Sequence, residues 1–177
     1  MLAIQLWFYK ADLGGPLALI FFATGIMILV SAFWAAAVGQ SFVASVAGIF
    51  GGFWLSYAVF VLGVLHGWWM LDPSSVNHAV QAFAISWAAI VFFLMLISVR
   101  LPVVYTLLFF LVVLALCLVA AGYDGAGHPN ILRAAGIVVF IFAAVGAWIF
   151  MAVGSVSVGG PLSPPLGRPL LRPRPRS

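Results

Sequence analysis

The chain has 177 residues, of which 66% are hydrophobic and 6% are charged. A soluble domain of this length cannot bury so much apolar surface, so the composition excludes a water-soluble fold and predicts an integral membrane protein. The apolar runs are continuous rather than alternating, which favours membrane-spanning helices over a β-barrel. The net charge of +4 does not indicate a nucleic-acid partner, because four of the seven basic residues lie within the last ten positions.

The predicted architecture is all-α, a bundle of five membrane-spanning helices within residues 15–155. Residues 1–14 contain an apolar run about half as long as a span requires, so we expect them to form an interfacial segment. The short joint at residues 39–41 predicts that the first two helices form an antiparallel hairpin. The predicted helices cover residues 15–38, 42–65, 79–99, 103–122 and 131–153.

The chain ends in a segment rich in proline and arginine, residues 156–177, which is predicted to be extended or disordered. Five helices place the two termini on opposite sides of the membrane. Arg100 falls on the same side as the four arginines of the tail, whereas Lys10 and Arg133 fall on the other side. The excess of positive charge predicts a cytoplasmic C-terminus.

The chain has three aspartates and no glutamate, and Asp12, Asp72 and Asp124 all lie in predicted loops. Ionisable residues inside a membrane usually mark ion paths and proton relays. Their scarcity argues against a carboxylate relay, an intramembrane protease and a metal-dependent enzyme, so we expect no catalytic residue, no metal and no cofactor. The three histidines lie at helix ends or in loops. They are open to two interpretations, a proton acceptor at the mouth of a path or an ordinary interfacial side chain.

The second predicted helix carries small residues at every fourth position, namely Ala44, Gly48, Gly52 and Ser56. On a helix these residues form one face with almost no side chain, which allows another helix to approach closely in lipid. Two interpretations remain open: the face lines a path, or it packs against a neighbour for stability alone. The interior predicted here is neutral and narrow, so it would admit a small, weakly polar solute and oppose a bare cation.

The sequence around this face resembles a known family. Gly39-Gln40-Ser41-Phe42 followed by Phe50-Gly51-Gly52-Phe53-Trp54-Leu55 resembles the "GNTFG…(S/T)SYG(A/S)FWL" signature of the acetate uptake transporters, the succinate–acetate permease family. Residues 21–26 resemble that family's "(L/I)FYGGI". Ala135-Gly136 resembles the "AGW" that opens its last helix, and residues 164–167 resemble "LP(I/L)G" in its tail.

The resemblance implies a plasma (inner) membrane transporter that moves a small monocarboxylate such as acetate, with a proton, and that assembles as a homo-oligomer, a hexamer in the family. Its partners would be the lipid bilayer and the carboxylate solute. It also implies a hydrophobic constriction that includes Phe50 and either Leu111 or Val112. The polar contacts that it implies along the path are Gln40, Ser41 and Ser45.

Several positions depart from the family's pattern. The chain has no counterpart of the family's first helix and its "NPAPLG" motif, so the five predicted helices correspond to the family's second to sixth. Gln40 replaces an asparagine, Phe50 replaces a tyrosine of the constriction, and Val153 replaces a glutamate of the last helix. These departures favour a second hypothesis, a non-transporting integral membrane protein that is a degenerate family member or an accessory subunit.

Overall fold

The computed structural model describes residues 14–125 and 127–171. The interfacial segment predicted for residues 1–14 therefore lies outside the described residues except for Gly14, and so does the end of the tail. Over the described ranges the chain forms helices and no strand, and five helices are long and apolar enough to cross a membrane. The all-α membrane fold predicted from the composition is confirmed. The five spans are Leu17–Ala37, Ser41–Leu65, Pro73–Ser98, Val103–Gly122 and Pro129–Ser157.

The first span is built from three consecutive helical segments. Helix α1 (Gly14–Leu19) continues into a π-helical segment (Ile20–Ile26), which continues into α2 (Met27–Ala37). At the end of the π-helical segment the Met27 N–H donates to the Phe22 carbonyl, five residues back along the chain. A π-helical turn is rare and often occurs at functional positions.

The remaining spans are regular α-helices that each satisfy their backbone groups internally, as a bilayer requires. They are α3 (Ser41–Leu65), α4 (Val76–Ser98), which follows a short 3₁₀ turn, α5 (Val103–Gly122) and α6 (Pro129–Ser157). Helix α6 ends four residues later than the sequence predicts. In the added turn the Ser157 hydroxyl donates to the Val153 carbonyl at 3.0 Å. Gly159, with a φ of +84°, then ends the helix.

The described chain divides into two compact units, residues 14–76 and residues 77–171. The first unit contains the first span and α3, joined at Gly39, whose φ of +77° suits a glycine that ends a helix. The two spans pack against each other along their lengths as an antiparallel hairpin. A cluster of buried residues at one end, Leu17, Ile20 and Ala58, holds the π-helical end of the first span against α3.

The second unit is built around α5, which packs against α6 and carries seven buried residues. The tight α5–α6 contact is at Gly122, where an added Cβ would lie 2.5 Å from Cδ2 of the fully buried Leu132. The Gln81 side-chain amide of α4 donates to the Ala120 carbonyl of α5 at 3.2 Å. Thr106 of α5 in turn donates to a carbonyl at the end of α4, so hydrogen bonds join these two helices at both ends.

The segment that follows α6 is held against the joint between α4 and α5. The Leu171 N–H donates to the Val99 carbonyl at 3.0 Å, and the Val104 N–H donates to the Leu166 carbonyl at 3.3 Å. The Trp148 indole N–H of α6 donates to the Pro165 carbonyl at 3.0 Å. The sequence predicts an extended or disordered tail here, and in the structure residues 160–171 are an irregular segment with defined hydrogen-bond partners.

Candidate functional site

The first span and α3 interlock through two reciprocal contacts between a leucine and a glycine. Leu55 of α3 lies against Gly25 of the π-helical segment, where an added Cβ would be 2.7 Å from the leucine Cδ2. Leu29 of the first span lies against Gly51 of α3. An added Cβ at Gly51 would be 2.7 Å from the Leu29 Cγ and 3.0 Å from the Leu29 backbone nitrogen. Each glycine leaves room that any other residue would fill, so the helix backbones approach closely.

The face of small residues predicted from the sequence lies beside these contacts. Gly48 continues the same antiparallel register, because an added Cβ there would lie 4.0 Å from the Cβ of Ala32 in the first span. Ala44, Gly52 and Ser56 are half-buried. The Ser56 hydroxyl donates to a carbonyl three residues earlier in its own helix. Close packing of this whole face against another helix stays a prediction.

Phe50 lies on a different face of α3. A helix turns by about 100° per residue, so Phe50 lies about 100° around α3 from Gly51, the glycine that contacts Leu29 of the first span. That side of α3 is aromatic: the Phe53 ring lies 4.8 Å from the Trp54 ring and 6.3 Å from the Tyr57 ring. Phe50 itself is half-buried. The structure thus places the residue beside an aromatic group within the first unit.

The three predicted polar contacts are grouped at the start of α3. Gln40 precedes the helix, is exposed, and makes no side-chain capping hydrogen bond. Ser41 and Ser45 are also exposed, and the Ser45 hydroxyl donates to the Ser41 carbonyl at 2.9 Å. An amide and two hydroxyls can donate to a carboxylate oxygen or a water molecule. Phe50 lies nine residues beyond Ser41, about 14 Å along the helix axis, so it is at a different depth.

Leu111 and Val112 lie on α5, in the second unit, and both are buried, with exposed fractions of 6% and 8%. Phe109, two residues before Leu111 on the same helix, is 2% exposed. The structure therefore places the predicted constriction residues in two units: Phe50 and the polar contacts belong to the first, and Leu111 and Val112 belong to the second.

The five spans contain no aspartate, glutamate or lysine, and their one arginine, Arg133, is exposed in the second turn of α6. Throughout residues 14–125 and 127–171 no three His, Cys, Asp or Glu side chains are grouped as a metal site would need. Most polar side chains of the spans carry amides, hydroxyls or indoles, and the His78 imidazole lies in the first turn of α4.

Sequence reasoning did not single out Gly25 and Gly51 as contact residues. Both stand inside stretches quoted for the family resemblance, Phe21-Phe22-Ala23-Thr24-Gly25-Ile26 and Phe50-Gly51-Gly52-Phe53, so the glycines of those motifs are the signal that marks the contacts. Gln81 was also missed. Gln81 lies near the start of α4, and a glutamine within a membrane span is a signal because its amide can form a hydrogen bond to a neighbouring helix.

The sequence of these spans matches a known family. The model for the GPR1/FUN34/yaaH family matches residues 16–157, which include all five spans in full. The chain belongs to the GPR1/FUN34/yaaH family. The resemblance to the acetate uptake transporters that the glycine-rich signature indicates is confirmed. Every predicted site residue of this GPR1/FUN34/yaaH protein lies within the matched range, whereas the tail segment at residues 164–167 lies beyond it.

Three fungal relatives are similar to this family member. The Meiotically up-regulated gene 86 protein of Schizosaccharomyces pombe is 28% identical over 77% of this chain and 46% of its own length. The Accumulation of dyads protein 2 of Saccharomyces cerevisiae is 29% identical over 72% of this chain and 45% of its own length. Acetate permease A of Emericella nidulans is 29% identical over 75% of this chain and 48% of its own length. The chain spans about half the length of the curated relatives it matches.

A solved structure has the same fold as this GPR1/FUN34/yaaH protein. The structure of the bacterial acetate channel SatP superposes with a TM-score of 0.81 and covers 94% of this chain and 90% of that chain, at 23% sequence identity. At this identity the likeness establishes the fold. The protein is therefore an integral membrane protein of this family.

Proposed function

We propose that this protein carries a small monocarboxylate, such as acetate, across a membrane. The match of the GPR1/FUN34/yaaH model to residues 16–157 is the observation that carries the proposal. Two proteins that bear acetate in their names support the choice of solute: the acetate channel SatP has the same fold, and Acetate permease A aligns with 75% of this chain. We propose transport and no catalysis.

We propose that the carboxylate crosses together with a proton. A carboxyl group with a pKa near 4.3 is almost wholly ionised at pH 7. A bare anion in the bilayer core is costly, and the five spans offer Arg133 as their one permanent positive charge, in the second turn of α6. Entry as the neutral acid, or as an anion with a proton, avoids that cost.

The residues proposed for the path come from the family resemblance. Phe50 is proposed as a constriction residue of α3, and its place on the aromatic side of that helix supports the choice, because a ring closes a narrow gap by excluding water. Leu111 and Val112 are proposed for the same role on α5, where both are buried. The proposed polar contacts are the exposed side chains at the start of α3, Gln40, Ser41 and Ser45.

We further propose a homo-oligomer in the plasma (inner) membrane with a cytoplasmic C-terminus. The side of the membrane follows from counting positive charges. The hydrogen bond from Leu171 to Val99 supports grouping Arg100 with Arg168, because it holds the tail beside the α4–α5 joint. A hexamer is proposed by family resemblance.

A non-transporting membrane protein is the second candidate. Val153, which replaces the glutamate of the family's last helix, is 45% exposed, so an apolar side chain occupies an accessible position there. Loss of an ionisable group at that position favours a degenerate family member or an accessory subunit over a transporter coupled to protons.

Uptake into proteoliposomes distinguishes the two candidates. Purified protein is reconstituted with a pH-sensitive dye in the lumen, and acetate is added outside. Carboxylate entry with a proton acidifies the lumen faster than in protein-free vesicles, and it does so without an added ionophore. If both acidification and the uptake of labelled acetate proceed at the same rate with and without the protein, the non-transporting candidate is favoured. If the uptake of labelled acetate exceeds that of protein-free vesicles but the lumen does not acidify faster, the proposed coupling to a proton is contradicted while the proposed transport is supported.

A further inference from the structure

Helices α5 and α6 leave an apolar groove between them on the surface of the second unit. The groove has a volume of about 310 Å³ and is lined by Val104, Leu107, Ile141, Ala144, Val145 and Trp148. Leu107, Ile141 and Trp148 are each between 44% and 48% exposed, so the groove is open to the side. The one polar atom on these side chains, the Trp148 indole nitrogen, donates to the Pro165 carbonyl. The groove can therefore bind hydrocarbon, but its lining side chains offer no free hydrogen-bonding group to a polar ligand.

One end of the groove is bordered by the tail, which brings positive charge there. Val104 lines the groove, and its N–H donates to the Leu166 carbonyl. Arg168 is exposed two residues further along the tail, and Arg100 is exposed next to Val99, the residue whose carbonyl accepts from Leu171. The two arginines thus flank the strip of chain at which the groove ends.

No described carboxylate of the second unit lies at this end to neutralise the arginines. Its one described acidic residue, Asp124, follows the opposite end of α5. A helix of twenty residues is about 30 Å long, so Asp124 is far outside the range of a direct ion pair. Among the described residues of the second unit, no carboxylate therefore competes with an anion for Arg100 and Arg168 at this end of the groove.

We propose that the groove holds one acyl chain of an anionic phospholipid, whose phosphate is bound by Arg168 and Arg100. A guanidinium binds a phosphate through paired N–H donors, and basic pockets between membrane helices recognise anionic headgroups. The half-exposed Trp148 suits the boundary between chain and headgroup. The site holds an anchoring lipid at one end of α5 and α6, and its lining contains none of the residues proposed for the path.

Native mass spectrometry of the full chain in detergent tests whether the site recognises an anionic headgroup. The protein is titrated with phosphatidylglycerol and, in parallel, with phosphatidylcholine of the same acyl chains. We expect one tightly bound phosphatidylglycerol per protomer and weaker binding of phosphatidylcholine. Arg100→Gln and Arg168→Gln should weaken phosphatidylglycerol binding by about fivefold for each arginine removed. Arg133→Gln, which removes the same charge near the start of α6, is the matched control and should change nothing.

A second pair of variants tests the acyl half. Ala144→Leu places a side chain in the groove, whereas Ala143→Leu makes the same change at an exposed position outside the lining. We expect Ala144→Leu to weaken phosphatidylglycerol binding several-fold and Ala143→Leu to leave it unchanged. Glycerol phosphate, which has the headgroup chemistry without an acyl chain, should not compete at equal concentration.

Three results would overturn the proposal. Equal affinity for the two lipids would show that the site does not recognise a headgroup with a net negative charge. Full competition by glycerol phosphate would show that the acyl chain is not bound. Loss of the oligomer in Ala144→Leu with unchanged lipid binding would assign the groove to a second copy of the chain. Should Ala144→Leu fail to fold, the arginine variants still decide the proposal, because both arginines are exposed and outside the spans.

Discussion

Gly51→Ala tests the close contact between the first span and α3. The added methyl carbon would lie 2.7 Å from Cγ and 2.9 Å from Cδ2 of Leu29, and 3.0 Å from its backbone nitrogen. A leucine side chain can rotate, but the backbone nitrogen can move only with the first span. The substitution therefore forces the two helices apart or distorts one of them.

The size of the effect follows from two opposing terms. Overpacking a filled contact costs about 1–3 kcal/mol, whereas alanine in a helix gains about 1 kcal/mol over glycine. We expect Gly51→Ala to lower the free energy of unfolding by up to about 2 kcal/mol. Gly48→Ala is the matched control: its methyl carbon would lie 4.0 Å from the Cβ of Ala32, so it keeps the gain and avoids the clash.

Unfolding by dodecyl sulfate in mixed micelles, followed by circular dichroism, measures both variants. The difference between them removes the helix-propensity term and isolates the clash, so Gly51→Ala should be less stable than Gly48→Ala by about 1–3 kcal/mol. Leu29→Ala should cost less in the Gly51→Ala background than alone, because it removes the two side-chain clashes. Equal stability of Gly51→Ala and Gly48→Ala would refute the interlocked packing.

Three further predictions concern the path, the topology and the second unit. Phe50→Ala should speed acetate uptake and weaken the preference for acetate over butyrate, while Phe50→Tyr keeps or raises uptake; unchanged rates in folded Phe50→Ala would remove the residue from the path. A reporter fused after Ser177 should be active in the cytoplasm, and activity only outside would contradict the proposed topology. Gly122→Ala should destabilise the second unit by about 1–3 kcal/mol, because the added carbon would meet Leu132. Gly146→Ala, whose added carbon lies 4.0 Å from its nearest neighbour, should keep the gain in helix propensity without a clash, and equal unfolding midpoints for the two variants would refute the contact.

The spans could be predicted from the sequence because a bilayer demands long uninterrupted apolar helices, and the charge-free runs show where these begin and end. The π-helical segment could not. Ile20–Ile26 contains one glycine, Gly25, but a single glycine in an apolar span does not mark a π-helical turn. The geometry accompanies the contact between Gly25 and Leu55, residues thirty positions apart. The bound tail could not be predicted either, since its partners are the Trp148 indole, the Val104 N–H and the Val99 carbonyl, which no local pattern marks.

The candidate site was predictable only in part. A spacing of four residues selects Gly48 and Gly52, but four residues turn a helix by about 400°, so such a row drifts around the helix by about 40° at each step. The tight contact with Leu29 falls instead on Gly51, three residues beyond Gly48. Phe50 could be named only through the family resemblance, because a phenylalanine in an apolar helix carries no signal of its own.

Uptake of labelled acetate at two pH values tests the central proposal, carboxylate transport, most directly. Passive leak through lipid uses the neutral acid, which falls about tenfold for each pH unit above the carboxyl pKa. Proteoliposomes and protein-free vesicles are therefore compared at pH 7 and pH 8. We expect uptake above the leak at both pH values, and we expect unlabelled acetate to saturate this excess. Uptake equal to the leak at both pH values, with the reconstituted protein folded by circular dichroism, would contradict it.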